Sequence, residues 1–401
     1  MDAWQALTSL PTRQLINSST RQLVNLSTCQ LKEMKLHIFN PEHDIALAAN
    51  QPRFTAPHAG RQLRADLSFL PALWADDGDM VLVDDVEAAL EWVRHVKRYA
   101  HDVAFVTLCD LKHISPDMRH DLQIAPWGWD RTIKEQLLRA DPSLEPLLPT
   151  DERLVAIRDM SSRRFAAEHL LPLLHDANPG VVGESRYCAT EDEALAAMKQ
   201  YGRSVVKSPW SSSGRGVRYV AQPIPDNHLL GWMRGVLRLQ GGIMVEPLYN
   251  KVYDFGMEFM ANADGTIDYL GLSLFDTRGG AYTASICATE KDKREMLSRY
   301  VDMQLLDSIC QQIQSTVAPL MHGIYTGPFG VDMMAVARTD GDGFWLHPCV
   351  ELNLRRTMGH VALALTPTDR DPRRLMSIYY ADKYRLRIQQ SSENLLNTGL
   401  A

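Results

Sequence analysis

The residues of this chain best suited to chemistry lie near its end. Asp332 sits in Gly327-Pro-Phe-Gly-Val-Asp-Met-Met334, and Glu351 and Asn353 sit in Val350-Glu-Leu-Asn-Leu-Arg-Arg356. Both runs read as β-strands, joined by Asp340-Gly341-Asp342-Gly343, a composition that favours a hairpin turn. Glu351 and Asn353 are two residues apart, so on a strand they share a face. Pairing about the turn brings Asp332 opposite or nearly opposite Glu351. Carboxylates facing each other across a ladder repel, and a cation between them removes the repulsion. Two carboxylates and an amide oxygen form a hard ligand set that suits Mg²⁺ held together with phosphates. The alternative is a surface hairpin carrying two solvated acids.

A second constellation surrounds Lys207. The apolar run Ser204-Val-Val-Lys207 leads into Ser208-Pro-Trp-Ser211-Ser212-Ser213-Gly214-Arg-Gly216, and Val217-Arg-Tyr-Val220 returns as another strand. Serine and glycine let a loop backbone approach an anion and turn N–H groups toward it. It is not a Walker loop, because the Gly-Lys-Ser/Thr ending is missing and a strand follows. Read alone, the hairpin is a flexible turn; the lysine placed just before it favours phosphate. Further on, Gly242-Ile-Met-Val-Glu246-Pro247-Leu248 reads as a strand ending in an acid, or as a sheet edge. Asp254-Phe-Gly matches a kinase triplet by chance, since no kinase glycine loop or His-Arg-Asp segment accompanies it.

These residues need a scaffold, and the rest of the chain supplies the signals for one. From 34 to about 150, Leu36-His-Ile-Phe39, Met80-Val-Leu-Val83 and Val103-Ala-Phe-Val106 are short apolar runs, with helical spacing in the segment beginning Asp85-Val-Glu-Ala-Ala-Leu between the last two. That alternation predicts a small, mostly parallel sheet. Asn40-Pro41-Glu42-His43-Asp44 leaves the first strand at the end where such sheets bind ligands, although a polar turn with Asp44 near a helix start is the favoured reading. Pro126-Trp-Gly-Trp129 is distinctive and receives no role. Near Thr150 a second unit begins, with a helix expected from Asp159 or a following serine and another over Glu191-Asp-Glu-Ala-Leu-Ala-Ala-Met-Lys.

Composition narrows the classes. The chain has 401 residues, 45% hydrophobic and 23% charged, with a net charge of −7. It is long enough for two or three domains, and nothing in its charge calls for nucleic acid. No apolar run reaches membrane-spanning length. Six cysteines are scattered without a Cys-x-x-Cys pair, which argues against zinc and a disulfide framework and fits a cytoplasmic protein. Before Met34, Thr12-Arg-Gln-Leu-Ile-Asn-Ser-Ser recurs as Thr20-Arg-Gln-Leu-Val-Asn-Leu-Ser and begins again at Thr28, matching no solenoid period. Residues 1–33 are expected to be a disordered leader or sequence upstream of the true start.

Taken in order, the motifs resemble the ATP-grasp superfamily. That family's pattern is a strand lysine, a glycine-rich hairpin over phosphates, an adenine-contacting segment opening on Glu and an acid for the ribose. A metal-binding acid and Glu-x-Asn with a following Arg complete it. Here the matching residues are Lys207, the loop Ser211 to Gly216, Glu246 to Leu248, Asp254, Asp332, and Glu351-Leu-Asn353-Leu-Arg355. There is one departure: family members carry another cation, commonly Lys after Asp, at the start of the first helix, whereas Met160 follows Asp159. Arg158, Arg163 and Arg164 are the nearby substitutes, and sequence does not choose among them. The resemblance implies an α/β N-terminal domain (34–150), an α+β ATP-grasp domain of two subdomains clasping ATP (151–365), and a C-terminal tail or helix (366–401).

The resemblance also implies a reaction. A small carboxylate attacks the γ-phosphate of ATP, and an amine or other nucleophile captures the acyl phosphate. Lys207 would contact the α/β-phosphates, and Ser211, Ser212, Ser213, Gly214 and Gly216 would close over the β/γ-phosphates. Asp332, Glu351 and Asn353 would hold one or two Mg²⁺, with Mn²⁺ as a substitute. Arg355 would present its planar fork to the transferring phosphate or the substrate carboxylate. Arg278, beside Gly279-Gly280, is either a further basic contact or a solvated turn residue, and His360 is expected to pack rather than ligate. A hydroxyl kinase on the same fold and a non-catalytic nucleotide-binding module are the alternatives. Neither substrate identity nor oligomeric state is written in the sequence.

Overall fold

The computed structural model describes residues 34–211, 215–222, 225–278, 281–368 and 372–390. The octapeptide repeat, Ser212, Ser213, Gly214 and the Gly279-Gly280 pair lie outside them. Three sheets organise the chain. The first holds β1 (Met34–Ile38), β2 (Met80–Leu82), β3 (Ala104–Val106) and β4 (Leu122–Pro126), all parallel, in the order β3-β2-β1-β4. Asp85 and Asp130 cap the helices Val86–Val96 and Arg131–Ala140, Asp85 accepting Ala88 N–H and Asp130 accepting Thr132 and Ile133 N–H.

The second sheet is antiparallel: β5 (Arg186–Cys188), β6 (Ser204–Lys207), β7 (Val217–Val220) and β8 (Ile243–Pro247), in the order β5-β8-β6-β7. Lys207 ends β6. Glu246 is on β8, which lies inside the sheet, so the sheet-edge reading of that strand does not hold. The helices Glu191–Tyr201 and Asn227–Gln240 bury Ala194, Ala197, Met198 and Met233 against this sheet. The entry helix is shifted from its expected start. Asp151–Met160 is one helix, so Asp159 lies near its end; Ser162 then caps a new turn at Arg163–Phe165 through Phe165 N–H.

The third sheet has seven antiparallel strands, ordered β13-β12-β9-β10-β11-β14-β15. They are β9 (Lys251–Ala261), β10 (Ile267–Arg278), β11 (Ala281–Cys287), β12 (Gly327–Ala337), β13 (Phe344–Asn353), β14 (Arg374–Tyr380) and β15 (Tyr384–Gln390). The last two correct the expectation of a tail or helix after residue 366. Met376 and Ile378 share an apolar face with Ile388 and Leu386, but the arginine, serine, tyrosine and glutamine residues between them hide the strand period. In β9 and β12 the alternation decides which side does what. Phe255, Met257, Phe259, Val331, Met333 and Ala335 are all at most 1% exposed, in a core that also holds the helix Met303–Met321. The intervening residues Gly256, Glu258, Gly330 and Asp332 face the other way. The helix Met358–Ala364 covers part of that side, and its Val361 and Ala362 share a core with Phe39, Trp127 and Met376. That shared core joins the N-terminal sheet to the third.

Candidate active site

The hairpin register puts Asp332 directly opposite Glu351 and Gly330 opposite Asn353. Asn353 Nδ2 donates to Asp332 Oδ2 at 3.0 Å. Burial, then the charges of Glu351 and Glu258, push the Asp332 carboxyl up to about 8. Without a cation the acids are incompatible as anions, and a proton on Asp332 resolves the conflict. Among the described residues no three His, Cys, Asp or Glu side chains converge on one point. The protein therefore supplies two carboxylates and an amide, which fits an ion such as Mg²⁺ that takes its remaining ligands from phosphates and water.

Glu258 is the acid that sequence reasoning missed. On β9 it lies opposite Gly330, one row from Asp332 on the same face. It is 3% exposed, and its Oε2 is 3.0 Å from His360 Nδ1. Two glycines make room for it: a Cβ on Gly359 would fall 1.8 Å from Oε1, and one on Gly330 2.6 Å from Oε2. Thr357 N–H donates to His360 Nδ1, and His360 Nε2 reaches Phe259 O at 3.3 Å. His360 is thus buried between the Thr357 backbone, Phe259 O and the Glu258 carboxyl. The available signal was a lone acid at even spacing from Asp254 within Phe255-Gly-Met-Glu-Phe259.

Arg163 is the basic residue brought to this site. It is 6% exposed; Nη2 donates to Glu351 Oε2 at 2.9 Å, and Nη1 reaches Ser208 O at 2.7 Å and Ser211 Oγ at 2.9 Å. One guanidinium thus joins the second sheet to the third. Arg158 instead donates to Leu47 O and lies over the Trp210 ring, and Arg164 pairs with Glu168 on the surface. Short-range sequence could not separate them, because the choice depends on how the helix breaks at Ser161-Ser162.

Lys207 Nζ lies 2.6 Å from Glu246 Oε2, both buried, and Ser185 Oγ donates to Glu246 Oε1 at 2.9 Å. Pro247 closes β8, and Leu248 N–H is already used by Arg203 O. Gly216 sits where a Cβ would meet Ser211 at 2.3 Å and Ser208 Oγ at 2.7 Å, so only glycine fits this fold of the loop. Asp254 accepts from Lys251 Nζ and, at 2.8 Å, from Thr277 Oγ1. It lies two residues from Gly256, whose partner across the ladder is Asp332.

Arg355 departs from its expected setting. β13 stops at Asn353, and Arg355 N–H turns back to Asn353 O at 2.8 Å. The side chain still reaches Asn353 Oδ1 at 3.0 Å, but its fork is held by Asp44 of the N-terminal unit, with Nε to Oδ1 at 2.8 Å and Nη2 to Oδ2 at 2.9 Å. Burial opposes the charge on both partners. The pairing outweighs it, raising the guanidinium further and lowering the carboxyl.

The two unassigned motifs explain how Asp44 gets there. Asn40 Nδ2 donates to Gly128 O at 2.9 Å, and His43 Nδ1 lies 3.1 Å from Asp130 Oδ2. The His43 ring packs so closely that a Cβ on Gly128 would come within 2.5 Å of it. Trp127 O accepts from Arg356 N–H at 2.8 Å. The loops after β1 and β4 thus lock together and hold the segment that follows β13.

A four-stranded and a seven-stranded antiparallel sheet follow a parallel α/β unit, in keeping with the two subdomains behind an α/β domain expected from the order of motifs. No protein family's model matches the chain, and no curated protein matches it. Solved structures similar to it include an N5-carboxyaminoimidazole synthetase from Staphylococcus aureus complexed with ADP, at 11% identity and a TM-score of 0.44, covering 86% of this chain and 82% of that one. Another is a biotin carboxylase from Campylobacter jejuni, at 12% and 0.45, covering 87% and 76%. A third is a putative ATP-grasp superfamily protein from Archaeoglobus fulgidus, at 12% and 0.44, covering 90% and 100%. Likenesses this loose leave substrate and activity to the chain's own residues. Among the described residues no helix is long and apolar enough to cross a membrane, and Cys109, Cys188, Cys287, Cys310 and Cys349 are unpaired.

Proposed function

We propose that this chain is an ATP-dependent ligase that activates a small carboxylate as an acyl phosphate for capture by an amine or another nucleophile. The observation that carries the reading is the facing pair Asp332 and Glu351 with Asn353 beside them, bordered by Arg163 and Arg355. Phosphoryl transfer asks a protein for positioning and charge neutralisation rather than for covalent chemistry, and this face offers both.

Lys207 would exchange part of its contact with Glu246 for the α/β-phosphates. Ser211 and the backbone at Gly216 would line the loop over the terminal phosphates, with Arg163 between that loop and Glu351. Glu246 to Leu248 would border the base and Asp254 the ribose. Asp332, Glu351 and Asn353 would hold Mg²⁺, which when bound neutralises phosphate charge. Asp332 gives up its proton to do so. Arg355, held by Asp44 and Asn353, would keep one face of its fork toward the transferring phosphate or the substrate carboxylate.

The test begins with a thermal-shift screen of carboxylates and amines in the presence of ATP and Mg²⁺. Turnover of a hit labelled with ¹⁸O in its carboxylate should give ADP and labelled phosphate. AMP with pyrophosphate, or unlabelled phosphate with a phosphorylated hydroxyl, would overturn the ligase reading.

A further inference from the structure

A cleft of about 750 Å³ opens in the N-terminal unit, lined only by residues between Glu42 and Ala140. It takes no side chain from the candidate nucleotide site. Asp84 just after β2, and Leu108 and Cys109 just after β3, place it at the carboxyl edge of the parallel sheet, where open α/β sheets bind ligands. Two helix faces wall it. Arg61 and Arg64 are three apart on His58–Leu67. Thr132, Glu135, Gln136 and Arg139 follow the i, i+3, i+4, i+7 spacing of one face of Arg131–Ala140.

The charges in the cleft divide into two groups. Arg64 is fixed, with Nη1 donating to Glu42 Oε1 at 2.8 Å and Nη2 to Gln136 Oε1 at 3.0 Å. Arg53 is paired with Glu135 at 2.9 Å. Arg61, Lys112 and Arg139 also line the cleft, yet they have no ion-pair partner among the described residues, and Asp84 is the one remaining acid in the lining. That leaves an excess of positive charge close to the −1.5 to −2 that a phosphate monoester carries at neutral pH. In a chain of net charge −7, such a grouping around a concavity is held against its own repulsion. One acceptor is unmet as well: Glu42 Oε2 is buried and has no hydrogen-bond partner.

We propose that this cleft binds a small phosphate monoester that also carries an N–H donor, the phosphate against Arg61, Lys112 and Arg139 and the donor on Glu42 Oε2. Carboxylates alone match the charge less well, and a purely anionic ligand leaves Glu42 unsatisfied. Glu42 and Asp44 flank His43, whose ring is fixed between Asp130 and Gly128. The cleft and the carboxylate that holds Arg355 therefore lie on one rigid segment. The proposal concerns binding alone and stands or falls apart from the ligase reading.

O-phospho-L-serine and inorganic phosphate are the probes, titrated calorimetrically into the full chain with and without ADP. Phosphoserine should bind saturably at one site, and ADP should not displace it. The exposed double variant Arg61→Gln/Arg139→Gln should bind it at least about tenfold more weakly, the scale of a lost charge-assisted contact, with ADP affinity unchanged. Glu42→Gln should weaken phosphoserine and leave inorganic phosphate as tight or tighter. The proposal is overturned if neither probe binds saturably, if the double variant binds like wild type, if ADP displaces phosphoserine, or if Glu42→Gln leaves phosphoserine affinity unchanged.

Discussion

Asp44 and Arg355 are 311 residues apart in sequence and joined at two points in space, Nε to Oδ1 at 2.8 Å and Nη2 to Oδ2 at 2.9 Å. The N-terminal unit therefore takes part in the candidate active site. It fixes the direction of a guanidinium that also touches Asn353. A planar fork held at two points is pre-organised in a way that a lysine ammonium cannot copy.

Arg355→Lys should consequently lower turnover far more than ATP affinity. Asp44→Ala leaves the mostly buried guanidinium unpaired and should cost stability as well, on the order of 3 kcal/mol. Steady-state kinetics with ATP titrations and urea unfolding of both variants read these effects. Wild-type turnover in Arg355→Lys would remove the fork from the chemistry.

Asp332 should limit stability at alkaline pH. Its carboxyl is pushed up to about 8, by burial first and then by Glu351 and Glu258, whereas an unfolded Asp titrates near 3.9. Between those values the folded protein keeps a proton that the unfolded chain has lost. The contribution of this group is thus complete below about pH 4 and is lost as pH rises through about 8. Asp332→Asn stays neutral throughout, so its melting temperature should exceed that of wild type above pH ~8 and approach it near pH ~5. Mg²⁺ should raise the wild-type melting temperature at the alkaline end and leave the variant unmoved, while turnover is abolished. A variant less stable than wild type at every pH would refute the electrostatic account.

What the sequence made legible was local. Asp332, Glu351 and Asn353 could be placed on one face because a turn signal and the two-residue period fix a hairpin register without further knowledge, and Lys207 could be placed because an apolar strand runs straight into it. Contacts made across the fold were not legible. The choice of Arg163 follows from the helix break at Ser162, and the role of Asp44 follows from Asn40 and His43 meeting Gly128 and Asp130, some ninety residues away. Glu258 was hidden for another reason. Both faces of β9 are buried at that point, so Phe255 to Phe259 reads as a continuous core strand and its one acid looks like an interruption.

The space around Glu258 gives a packing prediction. A Cβ at Gly359 would lie 1.8 Å from Glu258 Oε1 and 2.5 Å from Ser273 Oγ, inside any van der Waals contact. Gly359→Ala should therefore destabilise the protein by about 1–3 kcal/mol or more, despite alanine's better helix propensity. Adding Glu258→Ala should recover much of that loss, because it removes the atoms that clash. Chemical denaturation of the two single variants and the double variant forms the cycle. Simple additivity would show that the glycine is not there to accommodate the carboxylate.

Lys207 provides the sharpest separation of binding from stability. Its ammonium and Glu246 are buried together at 2.6 Å, so Lys207→Ala strands a carboxylate that, among the described residues, only Ser185 still serves. Breaking a buried pair from one side costs roughly 3–5 kcal/mol, whereas replacing both partners with neutral groups of similar shape costs far less. Lys207→Ala should accordingly lower the melting temperature sharply, and Lys207→Met/Glu246→Gln should restore most of it. Nucleotide binding should not return with stability. Losing a charge-assisted contact of about 1.5–3 kcal/mol weakens ATP by roughly ten- to over a hundredfold, and ADP should suffer equally if the contact is to the α/β-phosphates. Calorimetric titration of the stable double variant with ATP and ADP measures this directly. Wild-type affinity there would mean that the Lys207–Glu246 pair is a structural feature of the second sheet and that the phosphates bind elsewhere.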